Sequence, residues 1–281
     1  MSDSRGPAGS RLPTEIDTTT PHVARLYDYW LGGVDNYRAD RLLGDEIATH
    51  IPSIRTMARA NRAFLGRAVR YAIAELGIDQ FLDIGTGIPT ARNTHEVAQE
   101  VDPAARIVYV DNDPLVLAHA RALMGSTPEG KTAFIHADLR DPVSIVTDPI
   151  LTATLDLDRP VAIVLVMVLM YFPDDEDDPR TIIKRLLDAM PPGSCLVISH
   201  PTADFDPQAL ARATQAMEQA GITFVPRGRA ETESLFAGTD LVDPGVVPVR
   251  EWHPEFADTS IFGGTFDTET AWIWAGVGRT H

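Results

Sequence analysis

The stretch Gln80-Phe81-Leu82-Asp83-Ile84-Gly85-Thr86-Gly87-Ile88-Pro89-Thr90 constrains the fold more than any other part of the chain. Phe81 to Ile84 has the length and apolar character of a short buried strand. Gly85 and Gly87 follow at once, and glycine lets the backbone turn sharply and approach a ligand with no Cβ in the way. A helix is expected next, from Ala91 to Val101. Strand, glycine turn and helix in this order form the opening unit of a doubly wound α/β sheet, and nucleotide-like cofactors lie at that turn.

The rest of the chain fits the same class. After the glycine loop, strand and helix patterns alternate, as in a mainly parallel sheet. Strands are predicted at 107–111, 133–138, 161–170, 194–199, 246–252 and 271–277. Helices are predicted at 114–124, 179–190, 207–220 and 232–237. Val161 to Met170 holds no polar residue, as expected of a central strand buried on both faces. Before the first strand the pattern is helical. Residues 1–19 are rich in Ser, Thr, Gly and Pro and read as a mobile tail. Thr20 is placed as an N-cap with Pro21 at the first helical position. Val23, Leu26, Tyr27, Trp30 and Leu31 form one helical stripe that ends at Gly32-Gly33. Further helices are predicted at 39–50 and 52–75. The expected organisation is a tail over 1–19, a helical cap over 20–75 and a cofactor-binding domain over 76–281.

Charge narrows the partners. The net charge is −16. Residues 1–70 carry 10 arginines against 8 acids, so the excess of acid lies in the body that follows. An acidic body repels polyanions, which argues against nucleic acid and suits a cationic cofactor. Cys195 is the single cysteine, which excludes an internal disulfide framework and fits a reducing, cytoplasmic setting. No charged-then-apolar leader opens the chain, and the longest apolar run is too short to cross a bilayer, so no membrane role is expected.

Ligands of parallel sheets lie beyond the carboxyl ends of the strands. Three successive strands here end in, or turn on, an acid: Asp83, Asp111 and Asp138. Asp111 follows Gly87 by 24 positions, near the roughly 20 expected of a carboxylate that grips a ribose. Its two oxygens can accept from both vicinal hydroxyls. Asp138 can accept from an exocyclic adenine amine while the Leu139 amide donates to the ring. The loop resembles both the dinucleotide pattern G-x-G-x-x-G and the acid-x-G-x-G loop of class I S-adenosylmethionine (SAM) methyltransferases. Thr90 stands where the dinucleotide pattern needs its third glycine. Asp83 would oppose a pyrophosphate but suits an ammonium and a sulfonium. Both details favour SAM.

Across Thr20 to Gly278 the chain resembles a domain-of-unknown-function family of actinobacterial SAM-dependent methyltransferases. The resemblance rests on Thr20-Pro21-His22-Val23-Ala24-Arg25, Tyr27-Asp28-Tyr29, Leu31-Gly32-Gly33 with Asp35-Asn36-Tyr37, Ala60-Asn61-Arg62 and the glycine loop. It continues through Tyr109-Val110-Asp111-Asn112-Asp113-Pro114, Ala137-Asp138-Leu139-Arg140, Gly193-Ser194 and Ser199-His200. It implies a Rossmann-like, doubly wound sheet of seven strands with the last antiparallel, an N-terminal helical extension over the cofactor, and bound SAM. The cofactor set is then Asp83, Gly85, Thr86, Gly87, Asp111, Asn112, Asp138 and Leu139. The family commonly has His after the fourth strand, where this chain has Met170 and Tyr171.

The expected reaction is methyl transfer to a small-molecule acceptor. His200 and Tyr29 are candidate general bases, and Tyr29, Asn36 and Arg62 are candidate acceptor contacts. Residues 20–50 are expected to form a lid hinged at Gly32-Gly33. A SAM-binding regulator without turnover is the rival, and an NAD-dependent oxidoreductase is a third reading. No metal centre is expected: Asp174 to Asp178 lacks the glycine and distal glutamate of a calcium loop and reads as a solvated turn into a helix cap. Cys195 reads as a core residue.

Overall fold

The computed structural model describes residues 17–90, 92–123, 125–175, 177–257 and 271–281. The expected tail lies outside the described residues up to position 16, as does Ala91.

Three helices come first: α1 (Val23–Leu31), α2 (Arg38–His50) and α3 (Ile54–Ala74). The alternating region follows, with β1 (Gln80–Ile84), α4 (Thr94–Val101), β2 (Arg106–Asp111), α5 (Pro114–Leu123) and β3 (Lys131–His136). Next come α6 (Pro142–Val146), α7 (Pro149–Thr154), β4 (Ala162–Val166), α8 (Pro179–Asp188) and β5 (Cys195–Pro201). The chain closes with α9 (Pro207–Gln219), α10 (Arg229–Ser234), β6 (Asp240–Leu241), β7 (Val247–Pro248) and β8 (Ile273–Arg279).

The strands form one sheet in the order β3-β2-β1-β4-β5-β8-β6, with β7 also pairing β8. The first five are parallel to their neighbours, and β8 runs antiparallel to β5. β6 and β7 are two-residue pieces that both pair β8, so together they fill the seventh position of the expected seven-stranded sheet. The strand predicted over 246–252 is thus reduced to Val247–Pro248, and β6 had no prediction.

Strand alternation divides the core. Phe81, Ile107, Ala162 and Cys195 face a cluster shared with α3, α4 and α9. Their neighbours Leu82, Val108, Ile163 and Leu196 face α6, α7 and α8 on the other side. Successive side chains of a strand point to opposite faces, so a continuous apolar run feeds both layers.

Several predicted ends shift, each for a local reason. α1 starts at Val23, not Pro21, because the His22 imidazole accepts from the Ala24 amide and is the N-cap. α4 starts at Thr94, where Asn93 and Glu96 form a capping box. β4 stops at Val166, four residues before the expected end at Met170. Met167 has φ 56°, in the left-handed region, and a 3-10 turn follows at Leu169–Tyr171. β5 runs to Pro201, so His200 lies inside the strand and not beyond it.

Candidate active site

One cavity of about 270 Å³ lies over the carboxyl ends of β3, β2, β1 and β4. It is walled by α1, α3, the glycine loop and the turn after β4. All eight expected cofactor residues line it: Asp83, Gly85, Thr86, Gly87, Asp111, Asn112, Asp138 and Leu139.

The backbone explains the two glycines. Gly85 has φ +74°, and a Cβ there would lie 2.5 Å from Val168 Cγ2. Gly87 has φ +67°, and its amide donates to Asp111 Oδ2 at 2.9 Å. The loop is thus folded back onto the carboxylate of the next strand. Thr90 needs no glycine, because the chain continues to Asn93 before the helix starts, and the Thr90 amide donates to Asn93 Oδ1.

The carboxylates differ in environment. Asp83 is buried and accepts from Thr94 Oγ1 at 2.5 Å. Burial pushes its carboxyl up to about 6, against the pull of Thr94 and of Arg62. Asp111 also accepts from the Asp113 amide at 2.9 Å, and burial raises its pKa despite the two amides. Asp138 is more open. Burial acts to raise its carboxyl, but the Arg140 amide, Asn112 and the Arg140 guanidinium together hold it below the usual range. Asp113 does what its place before Pro114 suggests and accepts from the Leu115 amide in α5. Its other oxygen lies 3.2 Å from His22 Nδ1.

The other candidates fall in different places. Arg62 lines the cavity near Asp83, and its guanidinium donates to Asn93 Oδ1 at 2.8 Å. Tyr29 and Asn36 are not in the cavity wall. Tyr29 Oη donates to Asp45 and accepts from Arg55 on an exposed face. The Asn36 amide donates to Asp28 and to the Gly33 carbonyl. His200 is fully buried outside the cavity wall. Arg227 donates to its Nε2 at 2.9 Å, so the ring proton sits on Nδ1 and is donated to the Pro201 carbonyl. Burial pushes its pKa down to about 3. Both of its nitrogens are bonded within the protein. The expected hinge is also tied down. A Cβ on Gly33 would strike the Asp28 carboxylate, which itself accepts from the Asp35 amide and from Asn36.

The sequence reading missed part of the wall. His22, Tyr27, Asn61, Met167 and Val168 line the cavity, as do Met170, Tyr171 and Phe172. Tyr27, expected only to pack α1 onto the body, accepts from Asn61 Nδ2 and donates to the Ala58 carbonyl. Asp174 pairs with Arg227 and Arg180, Asp177 pairs with Arg140, and Asp178 caps α8.

Comparison with known proteins decides the family. Residues 9–281 match the S-adenosyl methyltransferase family. The chain belongs to that family. A DUF574 family protein from Streptomyces avermitilis is 43% identical, with a TM-score of 0.89 over 95% of this chain and 100% of that one. A protein from Thermobifida fusca is 40% identical, with a TM-score of 0.83 over 94% of this chain and 96% of that one. A SAM-dependent methyltransferase from Anabaena variabilis shares the fold at 12% identity, with a TM-score of 0.52 over 96% of this chain and all of that one. None of the curated proteins matches the chain. The protein is therefore a SAM-dependent methyltransferase of class I fold, and SAM is its methyl donor.

Proposed function

We propose that the methyltransferase holds SAM across the carboxyl ends of β3, β2 and β1 and methylates a small-molecule acceptor. The observation that supports this pose is that Asp138, Asp111 and Asp83 follow one another along adjacent strands and line one cavity with the glycine loop. Asp138 and the Leu139 amide would read the adenine. Asp111, with lone pairs beyond those given to Gly87 and Asp113, would take the ribose hydroxyls. Gly85, Thr86 and Gly87 would carry the methionine part, with its ammonium toward Asp83. Arg62 lies on the same side as Asp83, and we assign it the methionine carboxylate in place of the acceptor anion expected from sequence. Asn112 would support Asp138.

SAM supplies an activated methyl group, so the chain needs no nucleophile of its own. Its residues align and exclude water, an effect that can be worth roughly 7–11 kcal/mol. α1 and α3 close the cavity over the strand ends, which fits an acceptor of low mass. In this reading residues 20–75 are a fixed cap and not a swinging lid. His22 lies 3.2 Å from Asp113 and Arg67 donates to the carbonyls of Val249 and Trp252, which tie the cap to the body. The buried thiol of Cys195 fits a cytoplasmic setting. Among the described residues no helix is long and apolar enough to cross a membrane.

The test is incubation with methyl-labelled SAM and fractionated cell extract. The account expects S-adenosylhomocysteine and label in the low-mass fraction. Label carried only by nucleic acid or protein would overturn the small-molecule acceptor, and tight binding with no S-adenosylhomocysteine from any fraction would favour a binder without turnover.

A further inference from the structure

The cavity continues past the three carboxylates. Over the carboxyl end of β4 it is lined by Tyr27, Leu65, Met167, Met170 and Tyr171. Given the SAM pose above, this is the end beyond the methionine part, where an acceptor must sit.

The polar groups here are few, and Arg62, which acts on the Tyr27 phenol, is given to the methionine carboxylate in the SAM pose above. Asn61 is held in a bridge, its Nδ2 donating to Tyr27 Oη at 2.8 Å and its Oδ1 accepting from Ser199 Oγ at 2.6 Å. Tyr27 Oη gives its proton to the Ala58 carbonyl at 3.1 Å and keeps a lone pair. Tyr171 Oη has no hydrogen-bond partner among the described residues, although its ring lines the cavity. Arg227 fixes the turn that carries Tyr171 by donating to the carbonyls of Leu169 and Phe172. Two phenolic oxygens on an apolar wall are thus offered to the acceptor, with Asn61 beside them.

This arrangement decides between acceptor chemistries. An alcohol must lose its proton to a base before or during transfer. Burial pushes both phenols up, Tyr27 despite Asn61, so neither is a phenolate near neutral pH. Of the candidate bases read from sequence, His200 is sealed against Arg227 and Tyr29 lies outside the cavity wall. In the wall, Asp83 is given to the SAM ammonium and His22 lies beside Asp113. A neutral amine needs no base, because it already carries a lone pair. A primary amine also has two N–H donors for two oxygens. The net charge of −16 gathers ammonium ions at the surface, and the apolar wall favours the uncharged form inside.

We propose that the acceptor is a primary amine on a small apolar frame, held by Tyr27 Oη and Tyr171 Oη; this rests on the SAM reading above. The nitrogen lone pair forms the new bond to the methyl carbon as the carbon–sulfur bond breaks. Sulfur keeps that electron pair as a neutral thioether, and the new ammonium gives its proton to water.

The experiment offers SAM-loaded protein benzylamine, benzyl alcohol and benzyl mercaptan and follows S-adenosylhomocysteine, with SAM affinity measured in parallel by calorimetry. Benzylamine should be the methylated member. Across ring-substituted benzylamines the midpoint of the pH–rate curve should move with each amine's own pKa, since no enzyme base sets it. Tyr171→Phe should lower kcat/KM for benzylamine by about three- to tenfold, the loss expected of one neutral hydrogen bond, and leave the SAM Kd within about twofold. Preferred turnover of the alcohol or thiol would overturn the proposal. So would a pH midpoint indifferent to the amine, or no turnover of any benzylamine by protein that binds SAM. Protein that does not bind SAM refutes the earlier reading instead.

Discussion

Asp83 is buried beside Thr94 with its pKa pushed up to about 6 by burial. The sign of the consequence follows from linkage. A carboxyl that titrates at about 6 when folded and near 4 when unfolded gives the folded state an extra proton between those values. Stability of the ligand-free protein therefore falls as pH rises through that window, and the penalty is fully present above it. Asp83→Asn should stabilise the ligand-free protein at pH 7, by up to roughly 3 kcal/mol, as read from urea unfolding. A cationic ligand reverses the balance, because it favours the ionised carboxylate. SAM affinity should rise from pH 5 to pH 7.5, and Asp83→Asn should bind more weakly with a flatter profile. Asp111, also raised by burial, leaves the variant some slope of the same sign. A variant whose profile matches the wild type would remove Asp83 from the cofactor site. At this scale the acids were legible because strand ends are where parallel sheets bind ligands. The tyrosines were not. Tyr27 and Tyr29 are two positions apart on one helix, and nothing local to the sequence says which of them meets the cavity.

Among the elements, β4 and its turn carry the clearest tests. The ten apolar residues from Val161 read as one strand, yet only Ala162–Val166 is strand, and Met167, Val168 and Met170 beyond it wall the cavity. Hydrophobicity could not mark that change, because both roles demand apolar side chains. What holds the turn is distant in sequence: Arg227, with 1% of its side chain exposed, bonds the carbonyls of Leu169 and Phe172 and the Asp174 carboxylate. The Asp174 side chain is 44% exposed, which weakens that ion pair. Most of the effect then lies in the carbonyl bonds. Arg227→Gln should cost roughly 2–4 kcal/mol in denaturant unfolding, and an unchanged midpoint would show that the turn holds itself. A second link joins three elements, with Asn61 of α3 bridging Tyr27 of α1 to Ser199 of β5. Asn61→Ala leaves a buried hydroxyl on each side without that partner and should cost about 1–3 kcal/mol; a loss well below that range would mean that α1 is anchored elsewhere. The long amphipathic helices and capped ends were readable because period and capping are local. β6 and β7 were not, since two residues carry no period and their pairing is set by β8.

On the scale of the whole molecule, the α/β class and the mainly parallel sheet follow from the alternation of strand and helix patterns, while the antiparallel closing strand was implied by the family resemblance and is set by the pairing of β8 with β5. The helical cap was legible as helices, while its ties to the body, through His22–Asp113 and through Arg67 to the carbonyls of Val249 and Trp252, depend on contacts between segments. The central claim is that the molecule places SAM along β3, β2 and β1 with Asp111 on the ribose. Calorimetric titration of SAM and of NAD into the wild type, Asp111→Ala and Asp113→Ala tests it most directly. The account predicts that the wild type binds SAM and responds far less to NAD. It also predicts that Asp111→Ala weakens SAM by roughly ten- to hundredfold, and that Asp113→Ala, which loses a helix cap and the contact to His22, weakens it much less. Tight NAD binding without a response to SAM, or equal losses in two folded variants, would contradict it.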